Sequence, residues 1–345
     1  MLVTLNLRFL KARGEGQLVS LIGMKMQKFL FLIFAMLVFV FATMAKADDP
    51  FPVTIKHALG STTVAAEPQR IVTLGWSGED VVIALGKVPV AMTRYGFFPS
   101  GMFPWDEERL SGSLPQLFEG ETDYEAIAAL RPDLIVAVLS GVDEVAWRRL
   151  SAIAPTVVYR SGPWRADWKE QTDIVGRAVG KQEEAEQLQK NTTAYLQALG
   201  ATHPELHGKT FTFATYFKGS NSIVVYLPSD PRVAALSVLG LTVSPGVAAF
   251  SKANPSRTSV SISLEEIQAI DADLLIMWFG DGARQAAEAQ PLFQTLGAVE
   301  RGGYVALDDP VSVWSTSALS VLSIPYGFPK FVPRLAEAAR KLEQE

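Results

Sequence analysis

Apolar residues follow two rhythms along this chain. Short unbroken runs rich in Val, Ile and Leu, such as residues 70–74 (RIVTL) and 134–139 (LIVAVL), alternate with stretches whose apolar positions recur at helical spacing. The first kind reads as a strand buried on both faces, the second as an amphipathic helix. In the first half this predicts strands at 70–74, 88–92, 134–139 and 156–159 and helices at 79–85, 125–130, 143–151 and 167–179. Gly86 and Gly180 stop two of those helices. Residues 93–120 are aromatic and rich in Pro and Gly, and read as a loop over a surface. Residues 183–199 space Ala185, Leu188, Tyr195, Leu196 and Leu199 as one long helix ended by Gly200. Beyond it come strands at 210–216, 222–226, 274–279 and 304–307. Helices are expected at 230–239, 264–270, 291–296, 317–324 and 330–342, the last region kinked by Pro325, Pro329 and Pro333.

One segment occurs twice. Residues 123–136 (DYEAIAALRPDLIV) match 263–276 (SLEEIQAIDADLLI) at Glu125 and Glu265, Ile127 and Ile267, Ala129 and Ala269, Leu130 and Ile270, and Asp133 and Asp273. Each copy is a short amphipathic helix running directly into a buried strand. Two distant copies of one unit predict two similar lobes. The expected fold class is α/β: two Rossmann-like lobes, each a mostly parallel sheet with flanking helices, joined by one long helix that acts as a stiff connector. The N-terminal lobe is expected over 48–181, the interlobe helix over 182–204, and the C-terminal lobe with its C-terminal helix over 205–345. A crevice between lobes is where small ligands usually bind.

The beginning of the chain adds a destination. Residues 24–28 are short and basic, 29–40 are apolar, and Ala45-Lys46-Ala47 is a small-residue cleavage site before Asp48. These are the three regions of a secretory signal peptide. Residues 1–47 are therefore read as an N-terminal extension and signal peptide, cleaved after Ala47, with Met24 the better-placed start. An uncleaved anchor is the alternative, although the apolar run falls short of the roughly 20 residues of a membrane span. The chain has no cysteine, hence no disulfide and no lipid-bearing thiol. From Asp48 onward 25 Lys/Arg stand against 35 Asp/Glu, a net charge of −10. An acidic, soluble, exported protein, expected in the periplasm as a monomer, is a poor partner for nucleic acid. Its length suits two domains better than one core.

The catalytic patterns fail when tested. Gly75-Trp76-Ser77 after a strand looks like a nucleophile elbow, but Glu79 stands where the second glycine belongs. A late histidine is also missing, since His57, His203 and His207 are the only three. His203 and His207 have the spacing of a helical metal clamp, yet Gly200, Pro204 and Gly208 make a loop the better reading. No glycine-rich phosphate loop follows the first strand. The positive signal is aromatic. Trp76 ends the first strand, Arg94 and Tyr95 end the second, and Trp164 follows the fourth; Tyr216 and Trp278 end strands of the second lobe, and Trp314 lies past another. Ligands of open α/β sheets bind beyond the carboxyl ends of the strands. An aromatic crevice with one or two arginines suits a bulky, partly apolar, anionic ligand.

At this point the chain resembles a known family. The motifs are Pro68-Gln-Arg-Ile-Val-Thr-Leu74, Ala84-Leu-Gly86 with Val88-Pro-Val90, Asp123-Tyr-Glu-Ala-Ile127 with Arg131-Pro-Asp-Leu-Ile135, and Ile153-Ala-Pro-Thr-Val157. Ile262-Ser-Leu-Glu265 with Asp271-Ala-Asp-Leu274, Pro291-Leu-Phe293 and Ser323-Ile-Pro-Tyr-Gly327 complete them. Their order and spacing, from about Val53 to Ala339, resemble the periplasmic substrate-binding proteins of iron–siderophore and vitamin B12 uptake, receptors that feed ABC importers. The resemblance implies two lobes bridged by one helix, with little closure on binding. It also implies that Glu125 and Glu265 dock on arginines of an inner-membrane permease, Glu266 being adjacent. Residues 70–79 and 323–334 look most like the ferric-siderophore branch. There the siderophore itself holds Fe(III), the protein needs no cofactor, and the ligand's organic shell is gripped by Trp76, Arg94, Tyr95, Trp164, Tyr216, Trp278 and Trp314. Hydroxamate, catecholate and mixed-carboxylate shells stay open, although one arginine candidate among several aromatics leans toward hydroxamate. Haem or cobalamin is the alternative ligand, with Tyr95 or Tyr216 the candidate haem ligands. A secreted hydrolase using the cleft is the alternative from another class; no enzyme is expected.

Overall fold

The computed structural model describes residues 50–280 and 282–343. The expected signal peptide lies outside the described residues. The N-terminal lobe opens with an antiparallel hairpin, β1 (Val53–His57) and β2 (Gly60–Val64). It continues through β3 (Ile71–Thr73), β4 (Ala91–Thr93), β5 (Gln116–Phe118), β6 (Leu134–Ala137) and β7 (Thr156–Val158). These five form one parallel sheet in the order β5-β4-β3-β6-β7. Between them lie helices α1 (Gly78–Ala84), α2 (Pro104–Leu110), α3 (Tyr124–Ala129) and α4 (Glu144–Ser151), with α5 (Trp168–Ala178) after β7. The chain works outward from β3 to β5, then returns to place β6 on the other side of β3. That reversal opens a crevice beyond the carboxyl ends of β3 and β6.

The connector is helix α6 (Gln182–Ala201). Its 20 residues span about 30 Å. The C-terminal lobe contains β8 (Thr210–Tyr216), β9 (Ser222–Tyr226), β10 (Thr242–Val243), β11 (Ser259–Ser263), β12 (Leu274–Trp278) and β13 (Tyr304–Leu307). The sheet order is β11-β9-β8-β12-β13, with β10 beside the start of β8. The sheet is mixed but mostly parallel, as expected, with a single reversed strand. β10, β12 and β13 run parallel to β8; β9 alone is reversed, and β11, antiparallel to β9, runs the same way as β8. The turn from β8 to β9 is too short for the crossover that a parallel neighbour requires. Flanking segments are α7 (Pro231–Val238), α8 (Pro245–Ala253), a 3₁₀ helix (Leu264–Ile270), α9 (Ala283–Glu288), α10 (Pro291–Gln294) and α11 (Gly297–Glu300). Two further helices, α12 (Pro310–Ser317) and α13 (Ser323–Lys341), end the described chain.

Two expectations fail locally. Residues 93–120 hold α2 and β5 as well as loop. The helix expected at 317–324 is instead a break, because the Ser320 hydroxyl accepts from the backbone N–H groups of Leu322 (3.0 Å) and Ser323 (2.9 Å), a local alternative to helix. Helix α13 then runs through Pro329 and Pro333. Its buried face, with Phe328, Phe331, Val332 and Leu335, outweighs the hydrogen bonds that proline removes.

One face of the N-terminal sheet packs on Ile127, Leu150 and Tyr159, and one face of the C-terminal sheet on Ile267, Phe293 and Leu296. The other faces share a single apolar core that includes Val136, Val175, Leu196, Phe213, Ile276 and Phe331. The lobes are thus fused, and the chain from Phe51 onward is one compact unit. No helix among the described residues is long and apolar enough to cross a membrane.

Candidate functional site in the interlobe cleft

The cleft starts at the crevice beyond β3 and β6. Gly75 takes a φ of 84°, and a Cβ there would fall 2.4 Å from the Leu139 carbonyl oxygen, so only glycine lets the two strand ends lie this close. The Trp76 N–H donates to that same carbonyl at 2.8 Å. Ser77 follows with a left-handed φ of 59° and starts α1. Trp164 faces Trp76 from the loop after β7. It too is left-handed, with a φ of 57°, its N–H donates to the Ser140 carbonyl at 3.1 Å, and it is 47 % exposed. The two indoles lie 4.8 Å apart. Trp314, on α12, meets Trp76 edge-on at 5.0 Å and Phe97 at 5.1 Å. Across the gap Trp278 ends β12, and its Nε1–H donates to the Tyr226 hydroxyl at 3.2 Å.

These side chains enclose three adjoining cavities. One of about 240 Å³ lies among Trp76, Trp164, Gln171, Tyr226, Arg232 and Trp278. A second, about 280 Å³, lies among Trp76, Phe97, Arg232, Trp278, Asp308 and Trp314. The third, about 320 Å³, fills the crevice beyond β3 and β6 among Gly75, Trp76, Thr93, Asp123, Ser140 and Trp164. Trp76 borders all three. Aromatic walls with a few polar groups suit a small-molecule ligand.

Four of the expected residues, Trp76, Trp164, Trp278 and Trp314, thus come together. Three do not. Tyr216 is 2 % exposed, packed in the C-terminal lobe's own core, and its hydroxyl donates to the Ser220 carbonyl at 2.9 Å. Tyr95 is 3 % exposed and stacks on Phe103 at 3.8 Å. Neither phenol is placed to ligate a haem in the cleft. Arg94 borders none of the three cavities and lies 3.5 Å from Glu119. The cation in the cleft is Arg232, which sequence reasoning missed. It sits in the first turn of α7, where Nε and Nη2 donate to the two Asp230 carboxylate oxygens at 2.7 and 2.8 Å. Its guanidinium lies 3.7 Å over the Tyr226 ring. The Asp230-Pro231 cap was visible in the sequence, but α7 follows an antiparallel strand rather than a parallel strand end.

Beneath the aromatic wall lies a second feature the sequence did not reveal. Glu79, Asp80 and Asp106 are fully buried, with one oxygen of each within 4.8 Å of the others. Tyr95 Oη bonds to the Glu79 carboxyl and to the Gly75 carbonyl oxygen. Trp105 Nε1–H donates to Asp80 at 2.7 Å, and so does the Ser320 hydroxyl, which reaches across from the C-terminal lobe. Desolvation, aided by Asp80, pushes Glu79 up to about 8; desolvation pushes Asp80 up to about 6. Burial and the two neighbouring carboxyls hold Asp106 well above its ordinary range. The three carboxyls form one buried acidic joint.

The hydrolase pattern fails in three dimensions. Ser77 is fully buried. His57 bonds to Thr62, His203 lies 3.5 Å from Glu205, and His207 packs under Gly240, so none serves it as a base. Glu125 and Glu265 are both exposed, in the first turn of the two repeat copies.

Comparison with known proteins agrees with this architecture. A probable siderophore-binding lipoprotein of Bacillus subtilis (strain 168), YfiY, is 28 % identical over 274 residues, which are 76 % of this chain and 82 % of that one. PiaA of Streptococcus pneumoniae TIGR4, solved in complex with ferrichrome, superposes with a TM-score of 0.76 at 29 % identity, covering 84 % of this chain and 99 % of the other. A periplasmic solute-binding protein of Mycobacterium smegmatis str. MC2 155 gives 0.73 at 31 % identity over 83 % and 98 %. The profile described as "Periplasmic binding protein" matches residues 71–311, and the chain belongs to that family.

Proposed function

We propose that this protein is an exported receptor that takes a ferric siderophore into the interlobe cleft and delivers it to the permease of an ABC importer for iron uptake. The observation that carries the reading is the convergence of Trp76, Trp164, Trp278 and Trp314 from both lobes on adjoining cavities. Its support from relatives is that one is described as probably siderophore-binding and another was solved with ferrichrome. The iron enters inside the siderophore, so the protein carries no cofactor of its own. Indole faces hold the organic shell, and Arg232 supplies directed donors. The family binds substrates rather than transforming them. After removal of residues 1–47 the protein works as a soluble periplasmic monomer, with Glu125 and Glu265 orienting it on the permease.

The test is tryptophan fluorescence of the protein from Asp48 onward, titrated with ferric hydroxamates, ferric catecholates, haem and cobalamin. Saturable quenching by a ferric siderophore, weakened about thirtyfold or more in Trp278→Ala, is expected. Quenching by haem or cobalamin alone would move the protein to another branch of the family.

A further inference from the structure

The charge around the cleft narrows the ligand beyond the reading just given, on which this step rests. Among the residues bordering the three cavities, Arg232 is the one cation, against the carboxylates Glu121, Asp123 and Asp308. Arg232 also brings no free charge. Both oxygens of the Asp230 carboxylate, a residue 3 % exposed, are committed to it at 2.7 and 2.8 Å. Asp308 is matched outside the cleft by Arg284 Nη1 at 2.8 Å. Asp123 accepts from the Ala126 N–H at 2.9 Å. Arg165 follows Trp164 in the chain and, with Arg257, borders a further cavity of about 410 Å³ between the lobes, which none of the four cleft tryptophans lines. The tryptophan-lined part of the cleft is thus aromatic and, by formal charge, neutral to negative, which differs from the anionic-ligand site expected from the sequence.

Ferric complexes differ sharply in charge. Three singly charged hydroxamates cancel Fe(III), whereas three catecholates leave a trianion, and citrate-type shells leave free carboxylates. A trianion drawn between these indoles would lose its water and gain no counter-charge. We infer that the cleft selects ferric complexes without net negative charge, the hydroxamate class, neutral or bearing a protonated amine, and discriminates against tris-catecholate and polycarboxylate complexes.

The experiment titrates the protein from Asp48 onward with ferrichrome, ferrioxamine B, ferric enterobactin and ferric citrate, by quenching and by calorimetry. The two hydroxamates are expected to bind at least about a hundredfold more tightly than either anionic complex, with little dependence on salt. Asp230→Asn leaves Arg232 uncompensated and should improve ferric enterobactin binding about tenfold. Because Asp230 also caps α7, the rim variant Glu121→Gln with Asp308→Asn makes the same test without touching the cap. It should move the same preference in the same direction. Wild-type binding of ferric enterobactin or ferric citrate as tight as that of the hydroxamates overturns the inference and leaves the receptor reading standing. Failure of every ferric complex to bind overturns the receptor reading, and this inference with it.

Discussion

The repeated segment is an α-helix, Tyr124–Ala129, leading into β6 in the N-terminal lobe, and a 3₁₀ helix, Leu264–Ile270, leading into β12 in the C-terminal lobe. In both, the aspartate before the strand clamps the start of the neighbouring parallel strand, β3 in one lobe and β8 in the other. Asp133 accepts from the N–H groups of Gln69 and Arg70, each at 2.8 Å. Asp273 accepts from the Thr210 N–H at 2.7 Å and its hydroxyl at 2.8 Å. The caps differ: Asp123 accepts from the N–H three residues on, Ser263 from the N–H two residues on. The sheets differ more, one wholly parallel and the other mixed. The shared unit therefore sets the scaffold, while the segments that leave the strands make the lobes unequal. The N-terminal lobe supplies Trp76 and Trp164 over a buried acidic joint; the C-terminal lobe supplies Trp278 and the compensated Arg232.

That inequality can be broken hardest through the acidic joint, because the C-terminal lobe has no counterpart among the described residues. Glu79 and Asp80 hold their protons to higher pH folded than unfolded. The stabilisation they give is complete below about pH 4 and is lost as the pH rises through about 6 for Asp80 and about 8 for Glu79. Each pKa unit corresponds to about 1.4 kcal/mol. Thermal unfolding should therefore move down by roughly 5 °C or more between pH 5 and pH 9. Glu79→Gln with Asp106→Asn should flatten that slope. A midpoint that stays level or rises over this range would show that the folded joint does not retain its protons.

A smaller effect separates the two aspartate clamps. Asp273 is half-buried and Asp133 exposed, so removing the first leaves donors that water reaches less easily. Asp273→Ala should cost about 2 kcal/mol and Asp133→Ala about 1 kcal/mol, read as shifts of the urea midpoint at constant slope. An equal or reversed order would mean that burial does not distinguish the copies.

Much of this was legible in the residues themselves. Runs rich in Val, Ile and Leu placed β3, β6 and β12, and the repeat announced two lobes, because burial on both faces leaves a strong apolar signature. The four cleft tryptophans followed from strand ends alone. What the rule could not see was direction. Ser222–Tyr226 reads as a strand whichever way it runs, so Arg232, delivered after that antiparallel return, stayed hidden. Tyr95 and Tyr216 also sit near strand ends, but a phenol can turn inward when a carbonyl awaits it, as Gly75 and Ser220 provide. The acidic joint draws Asp106 from α2, inside a segment that reads as loop, and its third donor, Ser320, from the far lobe. Nothing local links them.

The smallest expected effect on stability, and the sharpest on function, belongs to the matched glutamates. Glu125 and Glu265 are exposed on their helices, so replacing either with alanine should change stability by no more than about 0.5 kcal/mol and leave siderophore titrations untouched. Uptake is where a difference should emerge, because paired charges on a docking face set orientation and encounter rate more than fold. The lobes are not equivalent here either. Glu266, also exposed, adjoins Glu265, whereas Glu125 has Tyr124 and Ala126 as neighbours, so the C-terminal lobe keeps a spare carboxylate and the N-terminal lobe does not. Transport of a labelled ferric siderophore into cells should fall in the order Glu265→Ala, Glu125→Ala, then the double variant, the last by about tenfold or more. Adding Glu266→Ala to Glu265→Ala should bring the C-terminal lobe level with Glu125→Ala. Undiminished uptake in the double variant would show that the repeated glutamates mark a shared fold and not a shared docking surface.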